Sequence, residues 1–309
     1  RVAACFLVFD NKALRAPELF FSAQAEKRKA SVPLLKGNVA NFFFDEIINE
    51  KTDTRDKYDE SLKRSFKTNA LSYTALSQQL GHFYHEMQEQ YHNIQRTVTT
   101  DFQSGPHAPI DPAKSNLEVF LISHELGLQG RMDLFDDSPS ANGSYQAKII
   151  ELKSGRLPYP ASDPLQIDYS HATQVRLYNM LASRVLGYAP QAIYNAIFYS
   201  AASVPGQALR AVDLQPREEQ RILNVRNLIV AWEFMLAGDQ APYTASREFV
   251  MGIAGEHYDL KPQAKASRNW LYDKFAEYPK KVQQMSPLEQ DYYFAFVNFL
   301  AREKLISKV

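Results

Sequence analysis

The chain has 309 residues, of which 45% are hydrophobic, and this content is enough for a buried core and excludes a disordered protein. Its 35 basic and 35 acidic side chains cancel, so any contact with a polyanion must come from a local patch rather than from the overall field. The single cysteine, Cys5, excludes an internal disulfide and a four-cysteine cluster within this chain, and it is consistent with a reducing, cytoplasmic compartment.

Residues 1–116 are predicted to form an N-terminal strand and a helical lobe. The apolar segment Val2–Phe9 is far shorter than the roughly 20 residues of a membrane helix, and it predicts a buried strand. Apolar residues then recur at helical spacing, most clearly over Gly37–Glu50 and Leu71–Val98.

Residues 117–214 predict a mixed sheet with helices packed against it. Three strands are expected over Leu117–Ser123, Leu128–Phe135 and Tyr145–Lys153, and short turns should join them as an antiparallel meander. A helix over His171–Leu186 precedes the apolar run Ala192–Tyr199, which is typical of an interior strand covered on both faces. A further strand is expected over Leu209–Leu214, so the sequence predicts an α/β core.

Residues 215–309 return to a helical pattern. Ser286, Pro287 and Glu289 have the spacing of a capping box, which predicts a helix that begins at Pro287. The chain starts with Arg1, and its last residues stop within a helical pattern, so we expect a piece of a longer protein.

Two predicted neighbouring strands carry acidic residues near their ends. Because side chains alternate along a strand, Asp133 lies on the face opposite Met132 and Leu134. The same alternation places Glu151 and Lys153 together on one face of the next strand. A carboxylate pair of this kind is suited to Mg²⁺ or Mn²⁺, and a nearby ammonium group could stabilise developing charge in phosphodiester hydrolysis.

The segments Gly130–Asp133 and Ile149–Gly155 together resemble the second and third motifs of RecB-like nucleases in the PD-(D/E)XK superfamily. The resemblance covers about Leu117–Leu186 and implies a restriction-endonuclease-like α/β core flanked by helices. It also implies a metal-dependent DNA nuclease in which Asp133 and Glu151 bind the metal ion while Lys153 positions the attacking water.

A Gln-x-x-x-Tyr motif of the same family is matched by Gln174 and Tyr178, which lie four residues apart on one helical face. The resemblance implies that Gln174 contacts the active-site water, the lysine or the scissile phosphate. It implies that Tyr178 supports the site or stacks near the DNA. The alternative for Tyr178 is an ordinary core aromatic residue.

The first motif of the family is a helix with a metal-binding histidine in a Gly-x-x-x-His setting, and two segments resemble it. Gly81–Glu86 would supply His85 as the third metal ligand, whereas Gly37–Asp45 places Asn41 at that position. An asparagine oxygen is acceptable for Mg²⁺ but is a weaker ligand than imidazole for Mn²⁺. For His85 the alternative is a histidine with a local hydrogen bond on a helix face.

The resemblance further implies a partner and a mode of action. Relatives of this type are coupled to a helicase domain or subunit and act on single-stranded DNA or on duplex ends, in repair or recombination. Many of them carry an iron–sulfur cluster, which the single cysteine excludes here. The chain also lacks a phosphate-binding Gly-x-x-x-x-Gly-Lys motif, so a motor would lie elsewhere.

Three arginines near the motifs, Arg131, Arg156 and Arg176, are predicted to hold the DNA backbone, with simple surface charge as the alternative. Two other functions compete with the nuclease. A catalytically silent nuclease fold could bind DNA as a scaffold for a helicase. An enzyme for a small substrate could use the acidic pair for acid–base chemistry, and it would have a closed apolar pocket.

Overall fold

The structure is a computed structural model, and it describes residues 30–49, 57–253 and 280–306. The strand predicted over Val2–Phe9 and the single cysteine lie outside these described residues. No helix in the described ranges combines the length and the apolar character that crossing a membrane requires.

Contacts divide the described chain into two units, residues 30–222 and residues 223–306. The first unit contains both the sheet and the helices that precede it, so those helices and the strands share one compact body. The three-part division into residues 1–116, 117–214 and 215–309 stays a prediction.

Three helices precede the sheet within residues 30–49 and 57–114. They run over Val32–Asn49 (α1), Tyr58–Leu76 (α2) and Phe83–Thr99 (α3). The stretch predicted as continuous over Leu71–Val98 is divided by a short 3₁₀ turn at Ser77–Gln79 and a turn at Gly81. Helices α1 and α3 pack through aromatic rings, with the Phe43 and Tyr91 centroids 5.2 Å apart.

In the described part of the chain, the sheet has five strands in the order β1-β2-β3-β4-β5. They run over Ser115–Ser123 (β1), Leu128–Asp136 (β2), Ala147–Lys153 (β3), Ile193–Tyr199 (β4) and Leu209–Ala211 (β5). The predicted antiparallel meander of the first three strands is confirmed, since β1 pairs with β2 and β2 with β3 in that sense. Strand β4 is parallel to β3, and β5 is antiparallel to β4, so the sheet is mixed. The predicted α/β fold class is confirmed.

Helix α4, over Tyr169–Leu186, connects β3 to β4 across one face of the sheet. It begins where the Asp168 side chain accepts a hydrogen bond from the backbone N–H of Ser170. It ends at Gly187, whose φ of 83° is a left-handed conformation that glycine adopts without strain.

Every residue of β4 is buried, as predicted for an interior strand. Its neighbouring residues Phe198 and Tyr199 face opposite ways. Phe198 packs against Phe44 of α1 at 5.8 Å between centroids, and Tyr199 contacts His171 of α4 at 5.7 Å. The sheet is therefore covered on one face by α1 and on the other by α4.

A buried ion pair joins β2 to β3. Lys148 and Asp136 are fully buried, and the ammonium nitrogen of Lys148 lies 3.2 Å from Asp136 Oδ2. The same nitrogen donates to the carbonyl oxygens of Pro109 and Ser138 at 2.8 and 2.7 Å. The charge is thus compensated by several acceptors, as a buried ammonium group requires.

After the sheet, helices of the described chain run over Pro216–Gly238 (α5), Thr244–Ile253 (α6) and Pro287–Ile306 (α7), and residues 280–284 are also helical. The predicted capping box at α7 is present, because Glu289 Oε2 accepts from the backbone N–H of Ser286 at 2.7 Å. Within the second unit, the amide of Asn298 donates to the carbonyl oxygens of Leu236 and Asp239 at the end of α5.

Candidate active site

Asp133 and Glu151 are brought together by the pairing of β2 with β3. The hydrogen-bonded register Leu134 to Ile150 makes Asp133 and Glu151 the next opposed pair. The Asp133 carboxylate accepts a hydrogen bond from the backbone N–H of Leu152 at 2.7 Å. Burial and then the negative charge of Glu151 raise the pKa of Asp133 well above its ordinary value. The two carboxylates are therefore close enough for the charge of Glu151 to disfavour ionisation of Asp133.

Glu151 is only 3% exposed, and its two oxygens differ in their surroundings. Oε1 accepts hydrogen bonds from the ammonium group of Lys153 at 2.8 Å and from the amide of Gln174 at 2.6 Å. Oε2 is buried and has no hydrogen-bond partner within the described ranges. Leaving a buried carboxylate oxygen without a partner is costly, so this atom is suited to an additional cation.

Lys153 lies at the end of β3, two residues after Glu151 and on the same face. Its ammonium group lowers the pKa of Asp133, against the larger effects of burial and Glu151. The structure thus brings Asp133, Glu151 and Lys153 close together near the C-terminal end of β3.

Gln174 and Tyr178 connect helix α4 to this edge. The Gln174 side-chain nitrogen donates both to Glu151 Oε1 and to the Tyr178 hydroxyl, the latter at 2.7 Å. Both residues are buried. Gln174 thus contacts the acidic pair directly, and Tyr178 lies behind it as a supporting group.

Gly130, the first residue of the Gly130–Asp133 segment on β2, allows helix α4 to pack closely against the sheet. A Cβ atom at Gly130 would lie 2.7 Å from Cε1 of Tyr178 and 3.0 Å from Cδ1 of Leu181. Real Cβ atoms do not approach ring carbons so closely, so the glycine lets the helix pack tightly on β2. This role of Gly130 could not be predicted from the sequence, because the contact depends on where helix α4 packs against the sheet.

Two further carboxylates lie near the pair, and the motifs did not identify them. Glu118 of β1 lies between Leu117 and Val119, which pair with Leu134 and Met132, and its charge raises the pKa of Asp133. Burial and then Glu118 raise the pKa of Asp45 on α1 to about 7, whereas Arg131 acts to lower it. Glu118 could have been found from the antiparallel register, but Asp45 depends on the long-range docking of α1.

The two candidates for the first motif are placed differently. The side chain of His85 is 74% exposed and lies 3.6 Å from Glu89 on the same helix. Gly37 of the competing segment approaches β3, since a Cβ there would lie 3.7 Å from the Ser154 hydroxyl oxygen. Asn41 is one turn further along α1. The Gly37 segment thus approaches the end of β3, whereas helix α3 reaches the same end through Gln90, whose side-chain nitrogen donates to the Ser154 carbonyl oxygen at 3.2 Å.

The three predicted DNA-binding arginines differ in their availability. The side chain of Arg131 is 64% exposed and pairs with Glu118 at 2.6 Å. Arg156 is exposed in the loop after β3. Arg176 is instead buried and donates to the backbone carbonyl of Asp213 at 2.9 Å, so it serves the packing of α4 rather than a surface.

The donor set fits a divalent cation bound by few protein ligands. Across the described part of the chain, no group of three or more His, Cys, Asp or Glu side chains is arranged to hold a metal ion. Asp133 and Glu151 supply two carboxylates. Oε2 of Glu151, which has no hydrogen-bond partner in the described chain, is the atom best placed to contact a cation. Mg²⁺ is commonly held by one or two carboxylates, with water and substrate phosphate completing its coordination.

A comparison with protein families adds an independent result. The model of the PD-(D/E)XK nuclease superfamily matches residues 43–248, which is more than half of the chain. The matched segment includes all five strands and helix α4, and therefore the acidic pair, Lys153 and Gln174. A comparison with curated proteins gave no match. The chain belongs to the PD-(D/E)XK nuclease superfamily.

Proposed function

We propose that this protein is a metal-dependent deoxyribonuclease that hydrolyses phosphodiester bonds at the edge of the sheet formed by β2 and β3. The observation that carries the proposal is the environment of Glu151. One of its oxygens is buried without a hydrogen-bond partner in the described chain, and the adjacent Asp133 has a raised pKa. Two carboxylates that resist joint ionisation favour the binding of a compensating cation.

The proposed roles follow from the contacts. Asp133 and Glu151 would hold Mg²⁺ or Mn²⁺, with no third protein ligand required. A bound divalent ion of this kind polarises a phosphate and lowers the pKa of water. Lys153, hydrogen-bonded to Glu151, would keep a positive charge beside the reacting phosphate. Gln174 would fix the orientation of the Glu151 carboxylate.

The substrate and setting are the finer part of the proposal. The RecB-like sequence motifs favour single-stranded DNA or duplex ends, exonuclease action, and coupling to a helicase in repair or recombination. Arg131 and Arg156 are exposed near the site and would contact the DNA backbone. The C-terminal helix α7 exposes aromatic side chains, among them Tyr292 and Phe299, which agrees with a protein partner there.

The experiment compares the purified chain with Asp133→Ala and Lys153→Ala variants on oligonucleotides labelled at the 5′ or the 3′ end. Single-stranded, blunt duplex and RNA substrates are incubated with Mg²⁺, Mn²⁺ or EDTA. We expect the wild-type chain to degrade DNA only with a divalent ion, and both variants to lose at least about a hundredfold in rate. The order in which labelled products appear distinguishes exonuclease from endonuclease action.

Lys114→Ala is a matched control, because Lys114 is exposed and lies before β1. It should cleave like the wild type. Binding of DNA ends by a wild-type chain that cleaves nothing with any metal ion would contradict the proposal and favour the catalytically silent scaffold.

A further inference from the structure

His171 is a polar side chain at the edge of the site that the nuclease motifs do not explain. The parallel register of β3 and β4 places Tyr199 beside Lys153. His171 contacts Tyr199 from helix α4, and its charge environment includes Lys153. His171 also lies one helical turn before Gln174, which contacts Glu151. Helix α4 thus brings His171 to the end of β4 and Gln174 to the end of β3.

A hydrogen-bond chain orients the imidazole. The Tyr199 hydroxyl accepts from the backbone N–H of Asp168 at 3.3 Å and lies 3.1 Å from Nδ1 of His171. Tyr199 is fully buried, so its hydroxyl proton needs an acceptor inside the protein. Among the described groups, Nδ1 is the acceptor within hydrogen-bond distance. The proton of a neutral imidazole therefore resides on Nε2.

The surroundings keep this imidazole uncharged. Burial and then the positive charge of Lys153 lower the pKa of His171 to about 4, against the opposing effect of Asp168. A neutral ring beside Lys153 adds a hydrogen-bond donor without adding a second positive charge.

The Nε2–H group is available for a ligand. Nδ1 is engaged by Tyr199, and Nε2 lies on the other side of the ring. No hydrogen bond to Nε2 is found within residues 30–49, 57–253 and 280–306, and the residue is only partly buried. A donor with a fixed tautomer, beside Lys153 and open to solvent, is suited to an anionic oxygen.

We propose that His171 is a substrate-contacting residue whose Nε2–H donates a hydrogen bond to a phosphate oxygen of the bound strand, with Tyr199 as the residue that positions it. The inference rests on the proposed function, because it names a contact with the strand that the nuclease cleaves. It adds a residue that neither the acidic pair nor the glutamine motif contains.

The first test measures kcat/KM for cleavage of a labelled single-stranded oligonucleotide. We expect His171→Ala to lose roughly 10- to 100-fold, the effect expected for a hydrogen bond to a charged group. His171→Gln should retain most activity, because its amide nitrogen reaches about as far as Nε2. His171→Asn should be as slow as alanine, since its shorter amide reaches only the Nδ1 position. Rescue by glutamine alone would not follow from a structural role.

The second test examines Tyr199 and the phosphate oxygen. Tyr199→Phe should lose less activity than His171→Ala, and the double variant should be no slower than His171→Ala, because Tyr199 acts through His171. On an oligonucleotide with methylphosphonate linkages, which replace one phosphate oxygen by methyl, the ratio of wild-type to His171→Ala binding should fall to about 1.

Controls distinguish a failure of the proposed His171 contact from a failure of the proposed nuclease function. His124→Ala changes an exposed histidine in the turn between β1 and β2 and should behave as wild type. Wild-type activity in His171→Ala, an equal defect on methylphosphonate DNA, or additive losses with Tyr199→Phe would overturn the inference and leave the nuclease assignment intact. A wild-type chain without metal-dependent cleavage would contradict the proposed function, and this inference with it.

Discussion

Gln174 donates a 2.6 Å hydrogen bond to Oε1 of Glu151, so helix α4, which follows strand β3, fixes one oxygen of this carboxylate. The other oxygen, Oε2, is left without a hydrogen bond in the described chain. The protein thus holds one oxygen of the carboxylate, and the metal ion proposed above would bind the other. This asymmetry gives the first prediction.

Gln174→Ala is expected to lower cleavage by about 10- to 100-fold, because the Glu151 carboxylate loses the group that orients it. Gln174→Glu should be slower still, since it adds a negative charge beside Glu151. Single-turnover cleavage rates at saturating Mg²⁺ measure both. Wild-type rates in Gln174→Ala would show that Lys153 alone orients the carboxylate.

Asp133→Asn is expected to stabilise the fold while abolishing activity. The pKa of Asp133 is higher in the folded than in the unfolded state. The fold is therefore most stable at low pH, where this carboxyl group is protonated, and it loses stability as the pH rises through the folded-state pKa. Removal of this charge should increase the free energy of unfolding by about 1–2 kcal/mol at neutral pH, as at other strained active sites. Urea unfolding of both proteins measures the difference.

A divalent metal ion should offset the stability advantage of Asp133→Asn over the wild type. Mn²⁺ bound at the proposed site would stabilise the folded wild type, so it should raise the wild-type melting temperature in a concentration-dependent manner. Asp133→Asn should show a much smaller rise. An equal rise in both proteins would place the bound ion away from Asp133.

Gly130→Ala is expected to destabilise the protein by about 1–3 kcal/mol, because the new methyl group would overlap the ring of Tyr178. Gly81→Ala is a matched control, since a Cβ at Gly81 meets nothing within 4 Å. Thermal unfolding of both variants measures the effect. In a Tyr178→Ala background the cost of Gly130→Ala should shrink, which tests the contact itself.

The ion pair of Lys148 and Asp136 is expected to show strong coupling. Lys148→Met leaves the Asp136 carboxylate in the core without its cation, which should cost about 3–5 kcal/mol. Adding Asp136→Asn to this variant should recover part of the loss, because the unpaired charge is then removed. Denaturant unfolding of the single and double variants measures the coupling energy.

Asp45 is expected to make stability depend on pH below neutrality. Its pKa is about 7 when folded, against an ordinary value of 3.8, so the folded state holds a proton that the unfolded state releases. The free energy of unfolding should therefore fall as the pH rises from about 4 to about 7. Asp45→Asn should flatten this fall by about 1–2 kcal/mol, a discounted value because solvent still reaches the carboxyl group. Parallel pH-dependent unfolding curves for the two proteins would contradict this.

Much of the core was predictable because its signals are local. Alternation along β2 and β3 places Asp133, Glu151 and Lys153, and these three depend on no distant contact except the pairing of adjacent strands. Gln174 and Tyr178, which are four residues apart, likewise lie in one helix, as their spacing predicted. Short-range periodicity was therefore enough to predict which of these residues share a face.

The surrounding residues were less predictable because they depend on tertiary packing. The burial of Arg176 follows from the depth at which α4 lies against the sheet, and most of that helix is buried on all sides. Asp45 reaches Glu118 and Arg131 only through the docking of α1. The exposure of His85 depends in the same way on which face of α3 meets the core.

The parallel pairing of β3 with β4 has a consequence for when the enzyme first acquires its chemistry. Parallel neighbours need a crossover, so Glu151 meets Gln174, and Lys153 meets Tyr199, only after the intervening chain has crossed the sheet. A nascent polypeptide that has been synthesised only as far as Lys153 holds its acidic residues without their supports. The proposed active site is thus complete only once translation has passed β4.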